Sequence, residues 1–219
     1  MIDAVLFDVD GTLVDTNYLH AATWWQAFLQ HGHTVPMADV HRAVGMGSDK
    51  LLDHLLPDDR DRDADDGIRT AHTALYAQYW SRLQAFDGAA DLLRACSGRG
   101  SRVVLASSAA APELKALRAA LDADDAIDGA TSGSEVEATK PAPDLVRLAL
   151  ERAAVPAARA VFVGDTRWDV EAARRAGMPC VCVLTGGWGR AELEESGAAA
   201  VYDDPRALLE DLDRSPLAL

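Results

Sequence analysis

Cysteine is scarce in this sequence, and long apolar runs are missing from it. The three cysteines, Cys96, Cys180 and Cys182, form an odd set without the spacing of a disulfide framework. Cys180 and Cys182 alternate with valines, so we expect them to share one face of a strand as small buried side chains. No apolar stretch approaches the length of a membrane span, and the first residues lack the basic and apolar regions of a signal peptide. We therefore expect a cytoplasmic protein that does not bind membranes.

Positive charge is also scarce. The chain has 21 Lys and Arg residues against 35 Asp and Glu residues, giving a net charge of −14, and its basic residues form no cluster. Such a chain repels nucleic acid and anionic membranes, so we expect neither as a partner. A site for an anionic substrate must then supply its own local positive charge. The 219 residues suffice for one core and a small accessory domain, and nothing in them indicates an oligomeric state.

Short apolar runs alternate with helical patterns through most of the chain. Five runs read as buried strands: Ala4–Phe7, Arg102–Ala106, Ala130–Ser132, Ala160–Val163 and Pro179–Leu184. Four helical patterns lie between them: Gly88–Cys96, Pro112–Leu121, Asp144–Ala153 and Asp169–Ala176. This alternation predicts an α/β fold, with a parallel sheet covered by helices on both faces and a site at the carboxyl ends of its strands.

One long stretch directly after the first strand interrupts the alternation. Residues 16–86 contain no convincing strand and read as four helices: Tyr18–Gln30, Met37–Val44, Ser48–Leu55 and Ile68–Leu83. We interpret residues 16–86 as an all-helical cap domain inserted into a core that is formed by residues 1–15 and 87–219.

Two carboxylates follow the first strand. Residues i and i+2 of an extended segment point the same way, so Asp8 and Asp10 can face one site, and Gly11 permits a sharp turn after them. Carboxylates this close repel each other unless a cation or a shared proton intervenes. A calcium loop is excluded by spacing, because its glycine stands sixth and its glutamate twelfth. A helix-capping turn remains an alternative reading of the pair.

Further acidic residues follow a second predicted strand at the same edge of the sheet. Asp165 comes just after the run Ala160–Val163, and Asp169 lies one helical turn beyond it. Four acids that converge at one edge indicate a hard cation bound through oxygen atoms, and Mg²⁺ suits a few protein ligands together with water and phosphate oxygens. The sequence therefore predicts a Mg²⁺ site at this edge of the sheet, with ligands among these four acids.

Groups that could bind an anion follow two other elements. Ser107 ends the second predicted strand, and with Ser108 it offers a hydroxyl and backbone N–H groups near the start of a helix. Lys140 stands in a proline-framed approach to the sheet edge, where an ammonium group can offset a phosphate and the neighbouring carboxylates. These residues are candidates for the positive charge and the donors that the net charge of the chain demands.

These elements, in this order, resemble the four motifs of the haloacid dehalogenase superfamily of phosphohydrolases. Residues 8–13, Asp-Val-Asp-Gly-Thr-Leu, match its first motif, DxDGT, and Ser107, Lys140 and the pair Asp165 and Asp169 match the second, third and fourth. The resemblance covers essentially the whole chain, including the helical insertion, and is greatest to the phosphoglycolate phosphatase and β-phosphoglucomutase group. It implies a Rossmann-like core under a small helical cap.

The resemblance also implies roles for these residues. Asp8 would attack phosphorus to form an aspartyl-phosphate, and Asp10 would protonate the leaving oxygen and later deprotonate water. Mg²⁺ would be held by the Asp8 carboxylate, the backbone carbonyl of Asp10 and Asp165. Asp169 would support the water shell of the metal or orient Lys140. Haloacid dehalogenases and phosphonatases lack an acid two residues after the nucleophile, so Asp10 favours cleavage of a P–O bond.

The cap carries candidate substrate residues. Residues 45–50 resemble the flexible cap loop that reaches over the phosphate in this group, and Gly47 and Lys50 in it are candidate contacts, Lys50 for a second anionic group. His20 and Trp24 share a face of the first cap helix, where they either line the site entrance or pack between cap and core. Thr185–Gly189 resembles the glycine-rich stretch that follows the last long strand in phosphoglycolate phosphatase-like proteins, which implies a place beside the site, and it carries no obvious catalytic group.

Three functions fit the motifs. The first is a phosphatase that acts on a small phosphorylated metabolite. The second is a phosphosugar mutase of the β-phosphoglucomutase type, which is disfavoured because the cap loop has Ser48 near the place where such mutases tend to carry an arginine. The third is a phosphorylatable signalling or binding domain, which is disfavoured because receiver domains have no helical insertion after the first strand.

Overall fold

The core of the protein is a six-stranded parallel sheet in a computed structural model that describes residues 2–136 and 138–218. Its strands are β1 (Ala4–Phe7), β2 (Arg102–Ala106), β3 (Gly129–Thr131), β4 (Ala160–Gly164), β5 (Cys180–Val183) and β6 (Ala200–Tyr202), in the order β3-β2-β1-β4-β5-β6. Every neighbouring pair runs parallel. This arrangement confirms the predicted α/β fold, and the five predicted strands agree with the observed ones to within one residue at each end.

The strand register brings three strand ends to one place. Phe7, the last residue of β1, lies opposite Leu105 of β2 and Val163 of β4. The backbone N–H of Asp8 continues the ladder with a hydrogen bond of 2.9 Å to the carbonyl of Val163. Because parallel strands present their carboxyl ends at one edge, the residues that follow β1, β2 and β4 meet there.

Helices cover both faces of the sheet. One face carries α5 (Ala89–Gly98), α6 (Ala111–Leu121) and α10 (Pro205–Glu210), and the other carries α7 (Asp144–Ala153), α8 (Arg167–Ala176) and α9 (Arg190–Glu195). Successive residues of β1 alternate between the two layers, with Val5 and Phe7 in the first and Ala4 and Leu6 in the second. In the described parts of the chain, no helix combines the length and apolar character needed to cross a bilayer.

The predicted cap helices lie between β1 and α5. They are α1 (Asn17–Gln30), α2 (Met37–Ala43), α3 (Ser48–Leu55) and α4 (Asp65–Ala77), and they enclose a hydrophobic cluster of their own. The two connections to the core pair with each other through an antiparallel bridge between Val14 and Ala85. Helix α4 begins and ends earlier than predicted. Two aspartates occupy its first turn, where they favour the positive end of the helix dipole, and a short 3₁₀ turn, Trp80–Arg82, follows it.

The C-terminal elements α9, β6 and α10 were missing from the sequence prediction. Strand β6 has three half-buried residues at the sheet edge, and the two helices have six residues each, so their apolar periodicity is short. A start signal for α10 is nevertheless present, because the Asp204 carboxylate accepts the N–H of Ala207 at 2.8 Å and Pro205 occupies the first turn.

The two neighbouring cysteines lie on one face of β5, as their spacing predicted. Cys180 and Cys182 are both buried in the cluster beneath α8, with their Sγ atoms 3.8 Å apart. Burial raises the pKa of Cys180 well above its usual range, because the thiolate would lose its solvation there. Their burial in this cluster makes both side chains packing groups.

Candidate active site

A buried ion-pair network occupies the edge where β1 and β4 end. The Lys140 ammonium lies 2.7 Å from Oδ1 of Asp8 and 2.8 Å from Oδ1 of Asp169, and the three side chains are at most 5% exposed. Burial of an ammonium group opposes its charge, yet the two carboxylates outweigh that effect and raise the pKa of Lys140. The predicted site residues Asp8, Lys140 and Asp169 are thus in direct contact.

The start of α8 holds Asp169 in place. Thr166 is the N-cap residue, and its side chain and the Asp169 side chain form a reciprocal capping box. Oδ2 of Asp169 accepts the Thr166 hydroxyl at 2.7 Å and the Thr166 N–H at 3.0 Å, which leaves Oδ1 facing Lys140. This capping box at the start of α8 explains how Asp169 can orient Lys140.

Asp165 is fully buried, and both of its oxygens accept a hydrogen bond. The Thr12 hydroxyl donates to Oδ1 at 2.8 Å, and the side-chain amide of Asn17 donates to Oδ2 at 2.7 Å. Thr12 follows β1 in the first motif, whereas Asn17 is the first residue of α1 in the cap. Each carboxylate oxygen keeps a second lone pair, which is free for another partner.

The carboxylates of Asp8, Asp165 and Asp169 fit a divalent cation. One oxygen from each lies within 4.8 Å of the others. Burial raises the pKa of Asp8 to about 7, and the neighbouring carboxylates of Asp169 and Asp10 reinforce the shift against the opposing charge of Lys140. One ammonium is therefore too little positive charge for this group of acids, and an oxygen-bound Mg²⁺ would supply the rest.

The Asp10 carboxylate points away from this group, toward the cap. Oδ1 accepts the Thr16 hydroxyl at 2.8 Å and lies 3.2 Å from Nε2 of His20 on α1. Burial alone would raise the pKa of Asp10, but the His20 hydrogen bond and charge hold it below its usual range. The Asp10 carboxylate thus belongs to a second group of possible ligands, with His20 and Glu113, whose ligand atoms also lie within 4.8 Å of one another.

A cavity of about 280 Å³ separates the core edge from the cap. Among the residues predicted from the sequence, it is lined by Asp8, Asp10, His20, Trp24, Gly47, Ser108 and Lys140. The Ser107 side chain is fully buried behind this wall, and its hydroxyl accepts the N–H of Ala109 at 3.1 Å. The fold therefore brings residues of the first three motifs and three of the four cap candidates to the cavity, whereas Asp165 and Asp169 of the fourth motif are fully buried and do not line it.

Lys50 is the cap candidate that the structure does not bring to the cavity. Its side chain is 48% exposed, and its ammonium lies 3.7 Å from the Asp49 carboxylate. Helix α3 turns this position toward solvent, whereas Gly47 just before the helix faces the cavity. Its place favours an exposed surface lysine over a contact for a second anionic group of the substrate.

Close approach explains why residue 47 is glycine. Its N–H donates to the carbonyl of Lys140 at 3.3 Å, and a Cβ at this position would lie 1.5 Å from the Thr139 hydroxyl. The same hydroxyl donates to the Asp49 carboxylate at 2.8 Å. The cap loop thus rests directly on the segment that carries the lysine of the third motif.

Sequence reasoning missed three side chains that surround His20. The Glu113 carboxylate on α6 lies 3.7 Å from Nε2 of His20, and burial raises its pKa to about 7. On α4, Nε2 of His72 lies 3.2 Å from Nδ1 of His20, and the Tyr76 ring stacks on His20 at 4.0 Å between centroids. The i, i+4 spacing of His72 and Tyr76 on one helix face was the available signal.

Trp24 combines the two roles considered for it. It lines the cavity, and its ring also stacks on His72 with centroids 3.9 Å apart. Burial and the nearby charge of His20 lower the pKa of His72 well below its usual range, so His72 is a neutral partner of His20. The aromatic stack thereby holds the imidazole that contacts Asp10.

Comparison with known proteins agrees with this geometry. A model of the haloacid dehalogenase-like hydrolases matches residues 2–177, which contain all four motifs. The chain belongs to the haloacid dehalogenase-like hydrolase family. This confirms the resemblance inferred from the motifs, and the protein is a phosphatase of that family.

Individual known proteins resemble the chain over nearly all of its length. A phosphoglycolate phosphatase of Rhodospirillum rubrum is 32% identical, across 93% of this chain and 88% of that protein. The crystal structure of a hydrolase from Pseudomonas syringae superposes with a TM-score of 0.91 at 30% identity, across 96% and 98% of the two chains. The chloroplastic protein SUPPRESSOR OF QUENCHING 1 of Arabidopsis thaliana is 29% identical over 93% of this chain, which spans 20% of that longer protein.

Proposed function

We propose that this phosphatase hydrolyses a monoester of a small phosphorylated metabolite, with Mg²⁺ as cofactor and an aspartyl-phosphate on Asp8 as intermediate. The observation that carries the proposal is the Asp8 carboxylate at the wall of the cavity, paired with Lys140 at 2.7 Å. Asp10 stands two residues away on the same wall. A nucleophile, a proton donor and a fixed cation therefore face one small space.

The chain supplies the groups for two displacements. Oδ1 of Asp8 is paired with Lys140, which leaves Oδ2 to attack phosphorus. The P–O bond to the leaving group breaks as the bond to Asp8 forms. Because the pKa of Asp10 is held low, Asp10 passes to the leaving oxygen a proton that comes from His20, whose Nε2 lies 3.2 Å from Oδ1 of Asp10 and whose pKa is raised by it. Asp10 then takes a proton from water, and the water oxygen displaces Asp8 from phosphorus to release inorganic phosphate.

The carboxylates of Asp8 and Asp165 and the backbone carbonyl of Asp10 would hold Mg²⁺. When bound, Mg²⁺ supplies positive charge that stabilises the transferring phosphoryl group. Lys140 and the loop of Ser107 and Ser108 would bind phosphoryl oxygens, because they bring an ammonium group, a hydroxyl and N–H donors to the same edge. These groups provide the local positive charge that a chain of net charge −14 must supply for an anionic substrate.

We infer that residues 16–86 act as a cap that encloses a small substrate. The cavity of about 280 Å³ supports a compact metabolite, and a strongly acidic chain disfavours nucleic acid. The relative in Rhodospirillum rubrum is a phosphoglycolate phosphatase, which supports a short phosphorylated acid as the first substrate to test.

Phosphate release from a panel of phosphomonoesters tests the proposal. The panel contains phosphoglycolate, β-glucose 1-phosphate, other sugar phosphates and nucleotides, each measured with Mg²⁺ and with chelator. We expect Mg²⁺-dependent release that is lost in Asp8→Asn and retained in Asp15→Asn, an exposed aspartate that serves as the matched control. Conversion of β-glucose 1-phosphate without release would indicate a mutase instead, and a stable stoichiometric aspartyl-phosphate would indicate a signalling domain.

A further inference from the structure

The side chain of Asn17 joins the cap to the candidate metal site. Asn17 is the only asparagine in the sequence, begins the cap helix α1 and is 3% exposed. Its amide nitrogen lies 2.7 Å from Oδ2 of Asp165 and 3.3 Å from the carbonyl oxygen of Gly186. The NH₂ group has two hydrogens, so it can donate to both acceptors at once.

Two glycine loops form the seat of this amide. A Cβ on Gly186 would lie 1.8 Å from Oδ2 of Asp165 and 2.8 Å from Nδ2 of Asn17, so no larger residue fits there. A Cβ on Gly11 would lie 2.3 Å from the same nitrogen, and Gly11 has a φ of +72°, which also favours glycine. The Thr185 hydroxyl ties the loops together by donating to the carbonyl of Gly11 at 2.5 Å.

These contacts indicate a structural role for the glycine-rich stretch after β5, Thr185–Gly189, that its sequence did not indicate. Gly186 approaches Asp165 closely and also accepts a hydrogen bond from Asn17, while its carbonyl oxygen lies 3.1 Å from Nε2 of His41 on α2. The stretch thus contacts one core carboxylate and two cap helices.

We propose that Asn17 is a positioning residue for the metal site: its amide, carried by the first cap helix and seated between two glycine loops, fixes the Asp165 carboxylate in the orientation that binds Mg²⁺. Thr12 restrains the other oxygen from the core side. With one donor on each oxygen, the carboxylate cannot rotate freely, and each oxygen keeps a lone pair for the metal. The inference rests on the proposed Mg²⁺-dependent function.

Metal affinity is the direct measure of this role. Loss of a group that orients a ligand without touching the metal typically weakens metal binding by about 10–100-fold. We therefore expect Asn17→Ala to raise the Kd for Mg²⁺ by about tenfold or more, measured by isothermal titration calorimetry of the metal-free protein. Asn17→Leu fills similar space without a donor, so we expect the same loss from it.

The two variants separate orientation from packing. If only Asn17→Ala weakened Mg²⁺ binding, the cavity left by the truncation would be the cause, and the inference would be wrong. His41→Ala is the matched control, because it removes the other side-chain contact with the Gly186 carbonyl without touching Asp165. We expect its Kd to stay within about twofold of the wild type, and an equal loss in His41→Ala would show that general docking of the cap sets the affinity.

The wild type distinguishes failure of this inference from failure of the proposed function. A wild-type protein that binds Mg²⁺ and hydrolyses esters, beside Asn17 variants of unchanged Kd, would overturn the positioning role alone. A wild-type protein without Mg²⁺ binding would overturn the proposed metal-dependent function as well. Circular dichroism and the unfolding midpoint of each metal-free variant show that the comparison is made on folded protein.

Discussion

The ammonium of Lys140 lies between two buried carboxylates, so Lys140→Met is a sharp test of the site. Methionine keeps an unbranched chain of similar length but leaves Asp8 and Asp169 without the cation that now lies 2.7 and 2.8 Å from them. The three side chains are at most 5% exposed, so solvent screens these charges poorly in the folded protein. Removal of one partner from a buried ion pair typically costs about 3–5 kcal/mol.

Urea unfolding in the presence of chelator measures this cost without a bound metal. With a slope of about 2 kcal/mol per molar urea, a loss of about 3–5 kcal/mol lowers the unfolding midpoint by about 1.5–2.5 M. Lys115→Met is the matched control, since Lys115 is exposed on α6, and its variant should stay within about 0.5 kcal/mol of the wild type.

A second substitution identifies the source of the cost. The double variant Lys140→Met with Asp8→Asn removes one of the two uncompensated carboxylates, so it should regain part of the stability that Lys140→Met loses. The two sites are in contact and therefore should not be additive. A Lys140→Met midpoint within 0.5 M of the wild type would refute the reasoning, because a buried charge cluster cannot lose its cation at so little cost.

Two further predictions concern the cap. Gly47→Ala places a Cβ 1.5 Å from the Thr139 hydroxyl, so the cap loop must move and kcat/KM should fall by about tenfold or more. The control is Gly98→Ala, where a Cβ meets nothing within 4 Å, and its steady-state rates should be unchanged. Asp65→Asn weakens a two-point pairing with Arg60 at 2.8–2.9 Å and should cost about 1–3 kcal/mol at pH 7 by urea unfolding. Arg60 lowers the pKa of Asp65, so the stabilisation is present above the unfolded pKa of about 3.9 and is lost as pH falls below it. A difference from wild type that persisted undiminished at pH 3 would contradict the assigned pairing.

Local patterns were sufficient for the core of the fold. The apolar runs that became β1, β2, β4 and β5 are short and continuous, as in strands buried on both faces, and the helical patterns between them repeat every three to four residues. Burial of these runs leaves only the parallel sheet as a way to pair them across intervening helices. The short C-terminal elements escaped prediction because six or fewer residues do not establish a period.

The core motifs could be recognised in the sequence for a similar reason. Asp8, Asp10, Ser107 and Asp165 each lie within three residues of the end of a strand, so strand direction alone brings them to one edge of the sheet. Lys140 was predicted from its place before a helix. The sequence indicated that Asp8 and Asp169 lie near the same edge, but not that both contact Lys140. The assignment of each oxygen to a partner required the three-dimensional arrangement.

Residues whose role depends on how the cap packs against the core could not be identified from the sequence. Three side chains look like ordinary helix-surface residues in the sequence: Glu113, His72 and Tyr76. Packing of α4 and α6 around α1 brings them to His20. Lys50 had the charge expected of an anion contact, but the rotation of α3 turns it toward solvent.

The sequence by itself determined the family, the α/β core, the order of the motifs and the chemistry that they can perform. These follow from residue types and spacings within single elements. Local geometry alone then fixes the direction in which the side chains point and the edge of the sheet at which the strands end. Only the tertiary structure decided that Asn17 holds Asp165, that Gly186 leaves room for the pair, and which cap residues reach the cavity. Such contacts join residues about 150 positions apart, and their distances depend on packing of the cap on the core, which no local pattern records.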